Sequence, residues 1–326
     1  MRVAVTGATG HLGANVVRTF LARGAAVRAI ARRVDTPAIA GLALDRVCAD
    51  VLDPPALEAA FAGCDVVVHL AAKISIRGDR DGAVRRTNVE GTRNAVAAAR
   101  SAGVGRFVHV SSVHAMNLNG AEGIADENLP LVGEGAFAYD RSKADGERIV
   151  LGEASGGLEA LVLRPTGILG PHDYMRSRAG TMLREFFRGQ RPFLIPGGYD
   201  WVDARDVAAA LVGAVTQGRA GQAYLLSGHW VSIEELARLC GDISGVRKKR
   251  PVLPRWTAMA ALPVVEALAD MRSGEPLFTR ESLAAVASNT RNLSSRKAAD
   301  ELGFSARPVA ETLRDTFGWL TTGDCG

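Results

Sequence analysis

The chain has 326 residues, 47% of them hydrophobic and 23% charged, with a formal net charge of +4. These proportions belong to a globular protein with a substantial core, in one large domain or two joined ones, and they exclude disordered and fibrous classes. The basic residues are scattered apart from Arg247-Lys248-Lys249-Arg250, a run without interleaved aromatics, so nucleic acid is not an expected partner.

In chain order, the apolar run Arg2–Thr6 predicts a buried strand, and residues 12–23 have helical periodicity closed by Gly24. Between them lies Gly7-Ala8-Thr9-Gly10-His11-Leu12-Gly13. One glycine allows the tight turn, one lets backbone N–H groups approach a pyrophosphate, and one permits close helix–strand packing. The helix N-terminus then favours an anion. Gly7, Thr9, Gly10, His11, Leu12 and Gly13 are therefore read as contacts of a dinucleotide.

The second strand is expected over 27–31 and runs into Arg32-Arg33, with no acid before Asp35. A free ribose calls for an acid at this point, whereas a 2′-phosphate calls for a guanidinium that grips it with paired hydrogen bonds. The residues thus predict NADP, held by Arg32 and Arg33, with NADPH preferred over NADH. After a third strand at 46–48, Asp50 and Val51 are expected near the adenine, and Asp53-Pro54-Pro55 opens a helix. Residues 65–70 form a continuous apolar run, as in a strand buried on both faces. Leu70, Ala71, Ala72 and Lys73 follow it and would pass beneath the cofactor.

A helix is expected over 85–102, a strand over 106–111, a helix over 139–153 and a strand over 160–163. Strands alternating with helices mean an α/β fold with a doubly wound parallel Rossmann sheet. Beyond Pro165 the rhythm weakens. A helix at 207–215 and a strand at Ala223–Leu226 follow, and Ser232-Ile233-Glu234-Glu235 has the form of a capping box. Residues 256–269 read as a buried helix pair or as an apolar wall for a greasy substrate. The expected organisation is an NADP-binding core of residues 1–165 with 200–228 returning to it. Residues 166–199 and 229–326 form a smaller, mainly helical substrate-binding part.

Tyr139-Asp140-Arg141-Ser142-Lys143 puts a phenol and an ammonium on one helix face. A phenol with a pKa near 10 relays protons poorly at neutral pH, and the neighbouring lysine cation, together with the positive oxidised nicotinamide, is expected to lower that pKa. Tyr139 then exchanges a proton with a carbonyl oxygen. Ser111-Ser112 follows the fifth strand at the carboxyl edge of the sheet, where a hydroxyl steadies developing negative charge.

These residues resemble the extended short-chain dehydrogenase/reductase, or NAD-dependent epimerase/dehydratase, family. The resemblance also rests on His69-Leu70-Ala71-Ala72, Asn88-Val89-Glu90-Gly91-Thr92, Val110-Ser111-Ser112, Leu163-Arg164-Pro165-Thr166-Gly167 and Val202-Asp203-Ala204-Arg205-Asp206-Val207, so it spans nearly the whole chain. Ala204 departs slightly from the usual pattern, away from the chemistry. The resemblance implies that Ser112 rather than Ser111 is the catalytic serine, that Tyr139 is the acid/base, and that Lys143 binds ribose and tunes the tyrosine. It also puts Val110 at the cofactor, passes Pro165, Thr166, Gly167 and Ile168 beside the nicotinamide, and makes Asn88 structural or near the cofactor. Dihydroflavonol-reductase-like and 3β-hydroxysteroid-dehydrogenase-like members share the Arg-ended second strand and the run from Arg164 to Pro171.

The expected activity is hydride transfer between NADPH and a ketone or aldehyde. Candidate substrate contacts are Ile74, Ser112, His114, Met116, Tyr174, Phe186, Phe187 and Trp201. Two other readings stay open. One is a nucleotide-sugar epimerase or dehydratase that uses the same Tyr139 and Lys143 and keeps its cofactor, with Arg176, Arg178, Arg184 and Arg188 available for a diphosphate. The other is a non-catalytic NADP-binding protein, which has no need of the tyrosine–lysine pair. Cys48, Cys64, Cys240 and Cys325 show no metal spacing, and the histidines none, so no metal is expected. Scattered cysteines, no signal peptide and no spanning segment suggest a cytoplasmic protein without a membrane partner. The family resemblance implies a homodimer formed through the helices at 85–102 and 139–153.

Overall fold

The computed structural model describes residues 1–118, 123–154, 157–271, 279–287 and 292–322; Cys325 lies outside them. Apolar runs rich in valine and alanine become strands, and the amphipathic runs between them become helices. The first half contains β1 (Arg2–Thr6), α1 (His11–Ala22), β2 (Ala26–Ala31), β3 (Asp45–Cys48), α2 (Pro54–Phe61), β4 (Val66–His69) and α3 (Ala83–Arg85). A π-helical turn, Arg86–Glu90, leads into α4 (Gly91–Ser101), followed by β5 (Arg106–Val110), α5 (Ala138–Glu153) and β6 (Glu159–Pro165). The local signals act as expected: Asp53 caps α2 by accepting from the Ala56 N–H, with Pro54 at its start.

The second half contains β7 (Gly167–Leu169), α6 (Arg178–Phe187), β8 (Gly198–Asp203), α7 (Ala204–Thr216), β9 (Ala223–Leu226) and β10 (His229–Ser232). Then come α8 (Ile233–Ser244), α9 (Arg255–Met271), α10 (Arg280–Ala287), α11 (Arg296–Leu302) and α12 (Val309–Thr321). Ser232 caps α8 by accepting from the Glu235 N–H at 3.1 Å.

Seven strands form one parallel sheet in the order β3-β2-β1-β4-β5-β6-β9. Alternate residues point to opposite faces. Val3, Val5, Val68 and Val108 pack on the side of α1 and α7, while Ala4, Val67 and Phe107 pack on the side of α2, α4 and α5. Each fully buried valine is worth roughly 1.5–3 kcal/mol. Strand order reverses between β1 and β4, which opens a crevice at their carboxyl ends.

The C-terminal part is less purely helical than its sequence suggests. A three-stranded sheet, β10-β8-β7, supports it, with β8 parallel to β7 and antiparallel to β10. Its strands are short and interrupted by Gly167, Gly170, Gly197 and Gly198, a composition that reads as loop. Residues 256–269 are not a buried helix pair: one helix, α9, runs through Pro263, and Trp256 is 71% exposed. Among the described residues no helix is long and apolar enough to cross a membrane.

Candidate active site

At the crevice the backbone is drawn in tightly. Gly7 has φ +68°, and a methyl group there would lie 2.8 Å from the Ala71 nitrogen. A methyl on Gly13 would lie 2.2 Å from the Gly7 carbonyl oxygen, so α1 can approach the turn only through glycine. The N-terminus of α1 has no side-chain cap, leaving its N–H groups to a ligand. The His11 ring turns to the carbonyls of Gly170 and Pro171, 3.2 Å from each, and Leu12 packs against the core. Arg28 and Arg46 bond backbone carbonyls, whereas the guanidinium groups of Arg32 and Arg33 are exposed with no partner among the described residues. Uncapped helix N–H groups and two uncommitted guanidinium groups on adjoining strands fit the phosphates of a dinucleotide. Gly13→Ala is expected to cost about 1–3 kcal/mol through overpacking. Thermal melting and fluorescence titration with NADPH should then show a lower Tm and weaker binding together.

The other residues of this region are mostly held from below. Asp50 accepts from the Leu52 N–H, and Val51 packs under Gly91. Lys73 does not reach inward with its side chain: its ammonium pairs with Asp81 at 3.6 Å on the surface. Its backbone is the part that matters, because Asn88 accepts from the Lys73 N–H at 2.7 Å and donates to the Lys73 carbonyl at 3.0 Å. Asn88 sits in the π-helical turn and also donates to Ser142 Oγ, which donates to the Tyr139 carbonyl. Beneath it, Thr6 Oγ1 accepts from the Leu70 and Ala71 N–H groups and donates to His69 Nδ1, while His69 Nε2–H donates to Thr92 Oγ1. Thr92 in turn donates to the Asn88 carbonyl. Burial and the Lys143 charge hold His69 neutral, with its pKa lowered to about 3. The network therefore ties β1, β4, the π turn and α5 together without a buried charge of its own.

On α5, Tyr139, Lys143 and Glu147 stand at successive four-residue steps on one face. Glu147 is fully buried, and the guanidinium of Arg164 on β6 grips it, with Arg164 Nε 3.0 and 3.1 Å from the two carboxylate oxygens. This pair fixes the rotation of α5 against the sheet. Lys143 Nζ donates to the Val110 carbonyl at 2.8 Å. Burial lowers the Lys143 pKa to about 8, opposed by the charge of Glu147. Ser112, not Ser111, is the serine close enough to the Tyr139 phenol to bear on its pKa, and Ser112 Oγ accepts from the His114 N–H.

The tyrosine departs from expectation. Burial pushes its pKa up to about 12; Ser112 opposes the shift and the Asp140 charge adds to it. Lys143 is not among the groups that shift it, and its ammonium donates to the Val110 carbonyl. A neutral phenol is the form that can donate a proton.

The expected pocket residues divide. His114 is at the site, with its ring edge-on to Tyr139 at a centroid distance of 5.8 Å. Its Nδ1 lies 3.1 Å from Asp140 and its Nε2 lies 2.6 Å from the hydroxyl of Tyr199. Trp201 stacks beside Tyr199, both rings lying over Gly167. Ile74 is 64% exposed on the loop after β4. The remaining four belong elsewhere. Met116 is buried against Val113 and Leu225. Phe186 and Phe187 fill the core between α6, α8 and α12, because the apolar face of α6 has that core to cover. Tyr174 packs on Arg18 of α1 and Trp319 of α12. Sequence reasoning passed over Tyr199, Asp140 and Glu147; the alternation of Tyr199 and Trp201 about Asp200 was the available sign of a strand face.

Residues 3–227 match the model of one family, described as the NAD dependent epimerase/dehydratase family. The chain belongs to that family. Among its relatives, sterol demethylase protein B of Methylococcus capsulatus is 35% identical, covering 98% of each chain. A putative dihydroflavonol 4-reductase of Synechocystis is 31% identical over 97% of this chain and 93% of its own length. The crystal structure of gox2253 superposes with a TM-score of 0.84 at 31% identity, covering 99% of both chains. The family is NAD(P)-dependent and includes reductases and dehydratases, so the chain is an enzyme of that kind.

Proposed function

We propose that this protein reduces a ketone or aldehyde to an alcohol at the expense of NADPH. The observation that carries the reading is the Tyr139 phenol, kept neutral by burial and placed beside Ser112 at the carboxyl edge of the sheet. Bound NADPH supplies the hydride. Ser112 orients the carbonyl oxygen and steadies its growing charge, and Tyr139 donates its proton to that oxygen. Lys143 supports the phenolate left behind. Gly7, Gly10, Gly13 and the first turn of α1 would hold the pyrophosphate. The names of the sterol and dihydroflavonol relatives support a neutral, largely apolar substrate. Of the arginines available for a sugar-nucleotide diphosphate, Arg184 is spent on the Asp173 carbonyl and the Trp319 ring, which weighs against that reading.

The test is steady loss of NADPH absorbance with a panel of neutral ketones and aldehydes. Consumption with none of them, alongside a dinucleotide that stays bound through purification, would favour an epimerase or dehydratase. The exposed Arg32 and Arg33 support NADPH over NADH. Replacing both by alanine should raise KM for NADPH about 10- to 100-fold, the worth of a lost charged hydrogen bond, and leave KM for NADH nearly unchanged. Equal effects on both cofactors would show that the arginines do not read the 2′-phosphate.

A further inference from the structure

Tyr199, His114 and Asp140 come from β8, from the turn after β5 and from α5, and they meet beside Tyr139. Hydrogen-bond chemistry fixes the direction of the chain they form. An aspartate can only accept, so His114 Nδ1, 3.1 Å away, carries a proton. In the tautomer with its proton on Nδ1 the ring offers a lone pair at Nε2, and the Tyr199 hydroxyl at 2.6 Å donates to it. The Tyr199 oxygen is left with lone pairs and no proton to give. Burial keeps this phenol neutral, and Tyr139 is close enough to be felt electrostatically. The Tyr199 ring lies directly on Gly167, where any side chain would displace it. The same wall carries a second acceptor, Glu281 of α10, within electrostatic reach of Asp140 and His114, with Arg178 also in range.

We propose that Tyr199 is a substrate-recognition residue that accepts a hydrogen bond from a neutral donor, a hydroxyl or amide N–H, carried by the substrate near its carbonyl, and that His114 and Asp140 position it. The inference rests on the reading that the substrate carbonyl sits at Tyr139. It narrows the substrate class to neutral carbonyl compounds with a second, donating group. His114 and Asp140 act only through Tyr199, by denying its proton to the substrate and so disfavouring substrates that offer an acceptor at that point.

The test uses two matched pairs, 2-hydroxyacetophenone against acetophenone and 3-hydroxypropiophenone against propiophenone, titrated into the whole protein with NADP+ present. The wild type should bind the hydroxylated member of at least one pair about tenfold more tightly, as one net hydrogen bond allows. Tyr199→Phe should abolish that preference, the hydroxylated member of the pair losing more affinity than the plain ketone. His114→Gln, which retains an acceptor for Tyr199, should keep more of the preference than His114→Leu. No preference in the wild type, or a Tyr199→Phe variant that weakens both members of a pair equally, would overturn the proposal. An intact preference without any NADPH consumption would uphold the recognition role and overturn the reductase reading alone.

Discussion

Tyr139→Phe should lower kcat for carbonyl reduction by about 100- to 10,000-fold, the usual contribution of a positioned general acid, with little change in dinucleotide affinity or Tm. The substitution deletes one hydroxyl whose partner is Ser112 and leaves the ring in place. The pH profile sharpens the test. With the phenol pKa near 12 and the Lys143 pKa near 8, the group that changes charge first on raising pH is Lys143. Its charged form is present below about pH 8 and is lost above it. Reduction should therefore fall as pH rises through about 8 while Tyr139 is still protonated. Lys143→Arg, which keeps its charge, should carry the alkaline limb upward even if its overall rate is lower. A profile flat to pH 10 would show that the Lys143 charge is not required.

Glu147→Ala should be the most damaging single change to the fold, at about 3–5 kcal/mol in urea unfolding. Its carboxylate is fully buried, and removing it leaves the Arg164 guanidinium inside the protein with, among the described residues, only the Glu127 carbonyl, at 3.2 Å, as a remaining partner. The double replacement Glu147→Leu with Arg164→Met should recover most of that loss, since an apolar pair avoids the desolvation penalty. Activity should respond differently. Glu147 raises the Lys143 pKa against burial, so the double variant should lose the Lys143 charge at lower pH than the wild type even when its stability is restored. A single-variant loss below about 1 kcal/mol, the value of an exposed pair, would contradict the anchoring role assigned to Glu147.

What could be read in the sequence was local. The glycine turn, the Asp53 and Ser232 caps and the Tyr139–Lys143 pair each depend on residues three to seven positions apart, and their geometry follows from helix and turn periodicity. What could not be read depends on distant partners. Arg164 is 17 residues from Glu147, Asn88 is 54 from Ser142, and Tyr199 is 85 from His114. No periodicity announces such pairs. The small sheet was obscured because its glycines serve close packing, Gly167 against Tyr199 and Trp201 and Gly198 against Trp230, rather than turns. Phe186 and Phe187 are aromatic and lie near the site in sequence order, yet α6 turns them into the core it shares with α8 and α12. Four residues put Lys143 on the same face of α5 as Tyr139, but that spacing does not tell that the Val110 carbonyl takes its ammonium.

The most direct test of the whole account follows the hydride. NADPH stereospecifically deuterated on either face of the nicotinamide is incubated with the wild-type protein and each neutral ketone of the panel in turn. The account predicts an alcohol carrying deuterium on the former carbonyl carbon from one of the two labelled cofactors, and none in the Tyr139→Phe variant. A ketone left unreduced, with the label retained in a cofactor that never leaves the protein, would contradict it.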